Sequence, residues 1–413
     1  MSQTKDEIRY THRLAPCPAY DVAGTQAWLS EMAGRGLHLA PDGFALGIVS
    51  FERGEPRKVT YRLEAVPRQK MFDDGDRPDE EAVELAAEYG WEYVAKRGEF
   101  FIYRSEDHNA RELHTDPLVQ ALAMKAVRSR QRWALLDLLF WLLLYPLLRN
   151  GALLYRTPLL ASLTFGTWLT LFCLVMIAWY CIRAVHRALS LERLYRRLAR
   201  GGQIPTAAAH SARALRHRIV TVTRTALTVL WIVLVAVRTL NLMAETDEIA
   251  LDEHLSAGGE IPFATVAELA ETQGEVTLFR HTMNSFGNTV RVWRDPLAQV
   301  NIDYCEITEM TMADGHTVTA GLYVEYHEAA TEAIAEALAR EHVRFDRRDD
   351  DFRLLEITLP EADDAVAYLD ALHMPTVVLR QGKRVIRASL HNYSESTAIP
   401  VESWAGVLAE SIS

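Results

Sequence analysis

Apolar residues recur in short alternating or helical patterns at both ends of the chain, but between residues 133 and 244 they run together in three long stretches. The first, 133–148, reads WALLDLLFWLLLYPLL. The second, 158–182, holds 25 residues without a charged side chain, and the third, 225–244, has Arg238 within reach of one of its ends. A bilayer core takes about 20 largely apolar residues in a helix. The pattern therefore predicts a three-helix transmembrane region over 133–244, flanked by water-soluble α+β domains.

The flanks have shorter periods. Over 1–105 a strand at 8–14 precedes a helix at 25–36, in which Trp28, Leu29 and Met32 share a face and Gly34 and Gly36 mark the end. Strands at 44–51 and 58–63 form a hairpin around RGEP at 53–56. Pro78, Glu80 and Glu81 open a second helix, Gly90 closes it, and 91–95 with 100–103 make a final hairpin. The order β-α-β-β-α-β-β contains the ferredoxin-like split βαβ arrangement in its first six elements. Trp28, Trp91, Tyr61, Phe101 and Tyr103 are its expected core.

Residues 106–132 read as a polar junction and a basic juxtamembrane linker, either a plain connection or a rigid one able to transmit movement. The loop 183–218 reads as partly helical, broken at Gly201, Gly202 and Pro205. There Leu189, Leu191, Leu194, Tyr195 and Leu198 interleave with arginines to give an amphipathic helix suited to a lipid surface. Beyond the spans, 245–413 reads as an extracytoplasmic acidic α+β domain. It has strands at 277–281 and 289–293, a strand–turn–strand over 305–326 around Asp314 and Gly315, a helix at 331–341 and a strand at 352–359. A helix at 361–372 and a hairpin at 376–390 follow.

Charge gives this arrangement a direction. Residues 1–123 carry 15 basic and 22 acidic side chains, 124–244 carry 17 and 2, and 245–413 carry 12 and 31. Nine of the middle arginines lie in the loop 183–218, and Lys125, Arg128, Arg130 and Arg132 precede the first span. Basic juxtamembrane segments stay in the cytoplasm. The expected topology is a cytoplasmic amino-terminal domain and loop, with the carboxy-terminal domain outside, in a multi-pass membrane protein. The basic middle is explained by anionic headgroups, so membrane lipids are the expected partner and nucleic acid is not.

Several stretches are similar to a known family. They are the helix around Trp28 and Leu29 followed by Gly36 and Leu37, FERGEPRKVTYRL at 51–63, GWEYV at 90–94 before FFIY at 100–103, and ELHTDP at 112–117. Over roughly 8–120 the chain resembles the bacterial DUF2812 family, whose members are often followed by hydrophobic spans and often accompany PadR-type regulators. The resemblance implies membrane association and a regulatory or stress-linked role, and it supplies no catalytic residue. No family is recognised for 245–413.

Candidate chemistry is sparse. There is no nucleotide loop, zinc-protease helix, serine elbow or paired-cysteine motif, so no catalytic, cofactor-binding or metal residue and no cofactor is assigned. Four cysteines, Cys17, Cys173, Cys181 and Cys305, imply no intrachain disulfide. Asp349, Asp350 and Asp351 lack the alternating spacing of a calcium loop and suit a solvated turn. His316, His327, His373 and His391 have no metal-ligand spacing and read as exposed or hydrogen-bonded side chains. His327 and Glu328 become candidates only if folding gathers Glu306 or Glu325 beside them. The pair His114 and Asp116 reads as a cap or turn. Asp137, inside the first apolar run, is either a functional intramembrane acid or a hydrated residue that orients its helix. Phe286 and Trp293 read as core.

Two soluble modules joined by membrane helices suggest a non-enzymatic membrane sensor or regulatory adaptor. Such a chain would act with a protein partner or as a homo-oligomer. An accessory subunit of a transporter or envelope-processing complex is the alternative, and a membrane hydrolase the weaker third reading.

Overall fold

In a computed structural model, the described residues are 10–45, 47–66, 77–107, 110, 117–140, 156–202, 211–244, 247–271, 276–281, 288–312, 317–347, 352–370, 373–392 and 401–413. The chain forms two compact units. The first comprises residues 1–144 and 175–231, the second 145–174 and 232–413.

The first unit begins with β1 (Tyr10–Leu14), α1 (Val22–Ala33), β2 (Leu37–Ala45), β3 (Ile48–Arg53) and β4 (Thr60–Ala65). It continues through α2 (Glu80–Glu88), β5 (Glu92–Arg97), β6 (Phe100–Ser105) and α3 (Pro117–Leu139). Asp21 caps α1 by accepting the Gly24 N–H at 2.9 Å. Gly90 and Gly98 take positive φ at the end of α2 and in the β5–β6 turn, as their places in the sequence require.

The strands do not form a single ferredoxin-like sheet. β3 pairs with both β1 and β2 in a three-stranded sheet ordered β1-β3-β2, whereas β4 pairs with β6 in a second, ordered β4-β6-β5. The hairpin expected at 44–63 is therefore replaced by one between β2 and β3. The irregular stretch after β3, which contains Pro56, is tied to the end of α1. Gly54 N–H donates to Gly36 O and Arg57 N–H to Ala33 O, so β4 starts away from β3. The aromatic core falls where expected: Trp28, Tyr61, Trp91, Phe101 and Tyr103 are all buried. Trp28 packs edge-on against Phe51 at 5.4 Å.

Three further helices follow: α4 (Pro158–Phe165), α5 (Thr167–Ala199) and α6 (Ser211–Met243). Among the described residues two helices, in place of the expected three, are long and apolar enough to cross a membrane. They are α5 and the part of α6 from Ala214 to Met243, and their apolar windows are only 6 % buried against the protein. A helix apolar all round and exposed belongs in lipid, not in a soluble core. Of the first predicted span, 133–139 forms the end of α3, and 141–155 lies outside the described residues.

The second predicted span is not one helix. Gly166 adopts φ 92° and separates α4 from α5, a conformation open to glycine and costly for other residues. The loop 183–218 also differs from expectation. Residues 183–199 continue α5 without a break, Gly201 ends it with φ 75°, and 211–218 already belong to α6. Each helix has 33 residues, or about 50 Å, against a hydrocarbon core of about 30 Å. The excess of α5 is docked on protein. Leu191 and Leu198 are buried in one cluster with Ala121, Met124 and Val127 of α3 and with Leu29 and Leu63. The amphipathic face expected on lipid is thus part of the first unit's core.

Charge pairs reinforce this docking. Glu99, in the β5–β6 turn, accepts from Arg130 of α3 at 2.8 Å and from Arg187 of α5 at 3.4 Å. Glu192 of α5 pairs with Arg128 at 2.5 Å, and Arg128 lies 4.6 Å over the Tyr195 ring. Within the first unit, Tyr180 and Thr228 also join α5 to α6 by a 2.6 Å hydrogen bond between their hydroxyls.

The second unit is built on a nine-stranded sheet. Its elements are β7 (Ile249–Ala250), α7 (Leu251–Ser256), α8 (Val266–Glu271), β8 (Val276–His281), β9 (Thr289–Trp293), β10 (Ala298–Met312) and β11 (Thr317–Ala329). They continue with α9 (Glu332–Asp346), β12 (Arg353–Leu355), β13 (Asp364–Leu369), β14 (Pro375–Gln381), β15 (Arg384–Asn392) and α10 (Val401–Ser411). The sheet runs β12-β13-β14-β15-β11-β10-β9-β7, with β8 also on β10.

Two expectations change here. The helix placed at 361–372 is strand β13, and the strand at 352–359 contracts to β12. Alternate residues of β13 are buried on opposite faces of the sheet, Ala367 with Val377 and Leu379, and Tyr368 with Val378 and Val385. That two-sided pairing overrides the weak helical pattern. One face of the sheet is covered by α10, whose Trp404 and Leu408 are fully buried. The other face is partly covered by α9 and by Leu160 and Leu163 of α4.

Polar contacts fasten the helix ends to this unit. Glu341 of α9 accepts the Leu159 and Leu160 N–H groups at 2.9 and 3.0 Å, capping α4. Asp295 accepts the Thr167 N–H and hydroxyl at 2.9 and 2.6 Å, capping α5. Arg238 of α6 donates to Thr164 O at 2.6 Å and pairs with Asp247 at 3.0 Å.

Replacing Leu198 with Ala is expected to destabilise the first unit by about 3 kcal/mol, the range for a fully buried leucine. Denaturant unfolding of the detergent-solubilised chain followed by tryptophan fluorescence measures it. An unchanged midpoint would mean that this turn faces lipid instead.

Candidate functional site

Period-two alternation sorts the second unit's side chains onto two faces. Along β10, β11 and β15, Ile302, Tyr304, Leu322, Val324, Ile386 and Ala388 point into the core beneath α10. Their neighbours in sequence point to the opposite face, where pairing register lines them up in rows. Arg291, Asp303, Glu325 and Arg387 are cross-strand partners on β9, β10, β11 and β15. In the adjoining row Trp293, Asn301 and His327 are partners.

The charged row is paired throughout. Arg291 is bonded to Asp303 and lies 4.5 Å over the Trp293 ring. Arg387 donates to Glu325 at 3.1 Å and, through Nε, to Asp346 of α9 at 2.7 Å. Tyr368 donates to the same Asp346 oxygen at 2.5 Å. Burial, followed by the nearby Glu325 charge, pushes the Asp303 carboxyl up to about 6, with Arg291 opposing the shift. Asp303, Glu325 and Arg387 of this row line a cleft of about 380 Å³, which also receives Glu248, Cys305 and Tyr323.

At the border of this cleft α9 lays His342 against His327, the rings stacked at 5.2 Å and 18°. Both are buried, 2 % and 3 % exposed. Asn301 orients His327. Its Nδ2 donates to Ala298 O at 2.9 Å and Trp293 O at 3.3 Å, so its Oδ1 faces His327 Nδ1 at 2.8 Å. The Nδ1 therefore carries the proton, and the lone pair resides on Nε2. Neither Nε2 has a hydrogen-bond partner among the described residues. His342 Nδ1 lies 3.8 Å from Glu325 Oε2. One ligand atom from each of Glu325, His327 and His342 falls within 4.8 Å of the others. Burial lowers both imidazoles to about 3; for His327 the neighbouring His342 adds to the effect, and for His342 the Arg387 cation does.

The condition set on the sequence is met by one residue of the two. Folding gathers Glu325 beside His327, while Glu306 lies on the opposite face, where it accepts the Val266 N–H at 2.9 Å and the Tyr304 hydroxyl at 2.7 Å. Glu328 is half-buried at the next position of β11. His373 is exposed in a turn with φ 58°, and His391 is half-buried at the end of β15. Asp137 is exposed on α3, and all four cysteines are free. The residues His114 and Asp116, Phe286, His316 and 349–351 lie outside the described residues. Nothing in the spacing singled out His342. The one available signal was a histidine on the apolar face of a helix that directly follows a strand ending in Glu325 and His327.

The amino-terminal region can be placed in a family. Residues 21–136 match DUF2812, a protein of unknown function. The DUF2812 match starts at the cap of α1 and ends within α3, just over a quarter of the chain, and the carboxy-terminal region is unassigned. No curated protein matches the chain, and no solved structure does. The histidine cluster thus lies wholly outside the DUF2812 region.

The buried imidazoles predict acid lability. In the unfolded chain a histidine takes up its proton near 6.5, whereas the folded pair stays neutral down to about 3. The unfolded state binds more protons between these values, so stability is complete above pH 6.5 and falls as the pH drops towards 3. Asp303 acts in the opposite sense between about 6 and 3.8, because protonation there relieves the cost of keeping its buried carboxylate ionised in the folded state. With two imidazoles against one carboxyl, the net slope below pH 6 is expected to be destabilising. Thermal melting of His342→Gln across this range should show a shallower slope than the parent, and an identical slope would contradict the assignment.

Proposed function

We propose that the chain is a non-enzymatic membrane sensor or regulatory adaptor. In this reading the unit containing the DUF2812 region is cytoplasmic, and the unit containing the histidine cluster lies outside a bacterial cell membrane. The observation that carries the reading is the division of α5 and α6. Each contributes one part to the first unit and the other to the second, as a continuous helix. Leu191 and Leu198 tie α5 into the core of the first unit, and Asp295 caps its other end in the second. A ligand or partner that alters one helix end therefore acts on an element that the other unit also holds, which coupling between two sites requires.

A third crossing belongs to the same proposal. Residues 133–148 have the apolar composition for it. The arginines of 183–218 support a cytoplasmic location for the α5–α6 connection. The exposed apolar surface of both helices supports membrane lipid as one partner, with a second copy or another membrane protein sharing that surface.

Impermeant maleimide labelling of a cysteine-free chain tests this topology. Glu336→Cys should be labelled in intact cells and Glu81→Cys only after permeabilisation. Equal reactivity of the two under either condition would overturn the trans-membrane arrangement and with it the sensor reading.

A further inference from the structure

We propose that Glu325, His327 and His342 form a binding site for one divalent transition-metal ion of the zinc type. The proposal concerns the second unit alone and does not depend on the sensor reading.

The donor set carries it. Two imidazole nitrogens and a carboxylate oxygen, from β11 and α9, lie within 4.8 Å of one another. In a tetrahedral zinc site neighbouring ligand atoms are roughly 3.3 Å apart, as follows from bond lengths of about 2.0–2.2 Å. Closing the gap takes side-chain adjustments of about 1–1.5 Å and no rearrangement of the strands. Nitrogen donors favour zinc, cobalt, nickel or copper, whereas calcium and magnesium want an oxygen shell.

The surroundings have the features of a prepared site. Asn301 fixes the His327 tautomer and aims the free lone pair of Nε2, the role that outer-shell acceptors play for metal-bound histidines. Arg387 holds Glu325 from the other side. Three carboxylates, Asp303, Glu325 and Asp346, face two guanidiniums, Arg291 and Arg387, so a cation is not opposed by the net charge around the pair. Both imidazoles are neutral at physiological pH, and no proton has to leave before a metal binds. Glu325 also lines the adjoining cleft of about 380 Å³, so the carboxylate ligand is reached from solvent.

As mere packing, the same arrangement is expensive. Each buried nitrogen left unsatisfied costs about 1–3 kcal/mol, and a leucine or phenylalanine in either place would cost nothing of the kind. Retaining two such atoms in one cluster with a carboxylate is explained by a shared ligand.

The test uses the full chain in detergent micelles, stripped with a chelator and titrated with cobalt and then zinc. One ion per chain is expected, with the ligand-field bands of four-coordinate cobalt lost when zinc displaces it. His342→Gln and Glu325→Gln should each weaken zinc binding at least about tenfold, and Asn301→Leu by about 10–100-fold through loss of its orienting contact. His373→Gln, at an exposed turn, should leave affinity unchanged. If His342→Gln fails to fold by circular dichroism, Glu325→Gln, whose side chain is 42 % exposed, still decides. Absence of saturable binding, or affinity unchanged in Glu325→Gln, would overturn the proposal.

Discussion

A helix that is apolar around its whole circumference must be covered, and the described residues supply almost none of the cover for the apolar windows of α5 and α6. That constraint governs the rest of the structure. The two helices need lipid over their apolar lengths, and their remaining turns, rich in arginine, need water, headgroups or protein. The first unit meets the second need for α5 by taking Leu191 and Leu198 into its own core and setting Glu99 and Glu192 against the surrounding arginines. The DUF2812 region is consequently more than a domain tethered by a linker. Its hydrophobic core, α3 included, is completed by side chains from the extension of a membrane helix.

The second unit solves the same problem at the other ends with hydrogen bonds. Helix amino termini expose unpaired N–H groups, and here two acidic side chains, Glu341 and Asp295, meet those of α4 and α5. Gly166 gives two helix starts, and so two caps, where an unbroken span would have one. Glu341 lies one residue from His342 on α9. The helix that caps α4 therefore also carries one imidazole of the histidine pair.

Much of the architecture was legible in the sequence because it rests on local rules. Gly90 and Gly98 mark turns, Thr331 opens a helix, and the alternation of 376–390 gives a hairpin, while the Asp314–Gly315 turn lies outside the described residues. What was not legible depends on partners distant in the chain. Arginines after residue 182 read as the end of a span, since nothing local reveals that the DUF2812 region will cover Leu191 and Leu198. Residues 364–369 look helical until β12 and β14 flank them. Residues 401–411 form a helix that drew no reading, although Trp404 is fully buried. The histidine cluster was half visible. Glu325 and His327 are two apart on one strand, while His342 reaches them only because α9 folds back over the sheet.

The central claim is that α5 continues through the membrane boundary as one helix and docks on the DUF2812 region. Hydrogen exchange of the intact chain in lipid nanodiscs tests it most directly. Protection should run without interruption from the apolar part of α5 through residues 183–198, with slow exchange at Leu191 and Leu198 alike. Rapid exchange throughout 183–198, beside a protected apolar segment, would contradict the claim and reduce this stretch to a loop lying at the membrane surface.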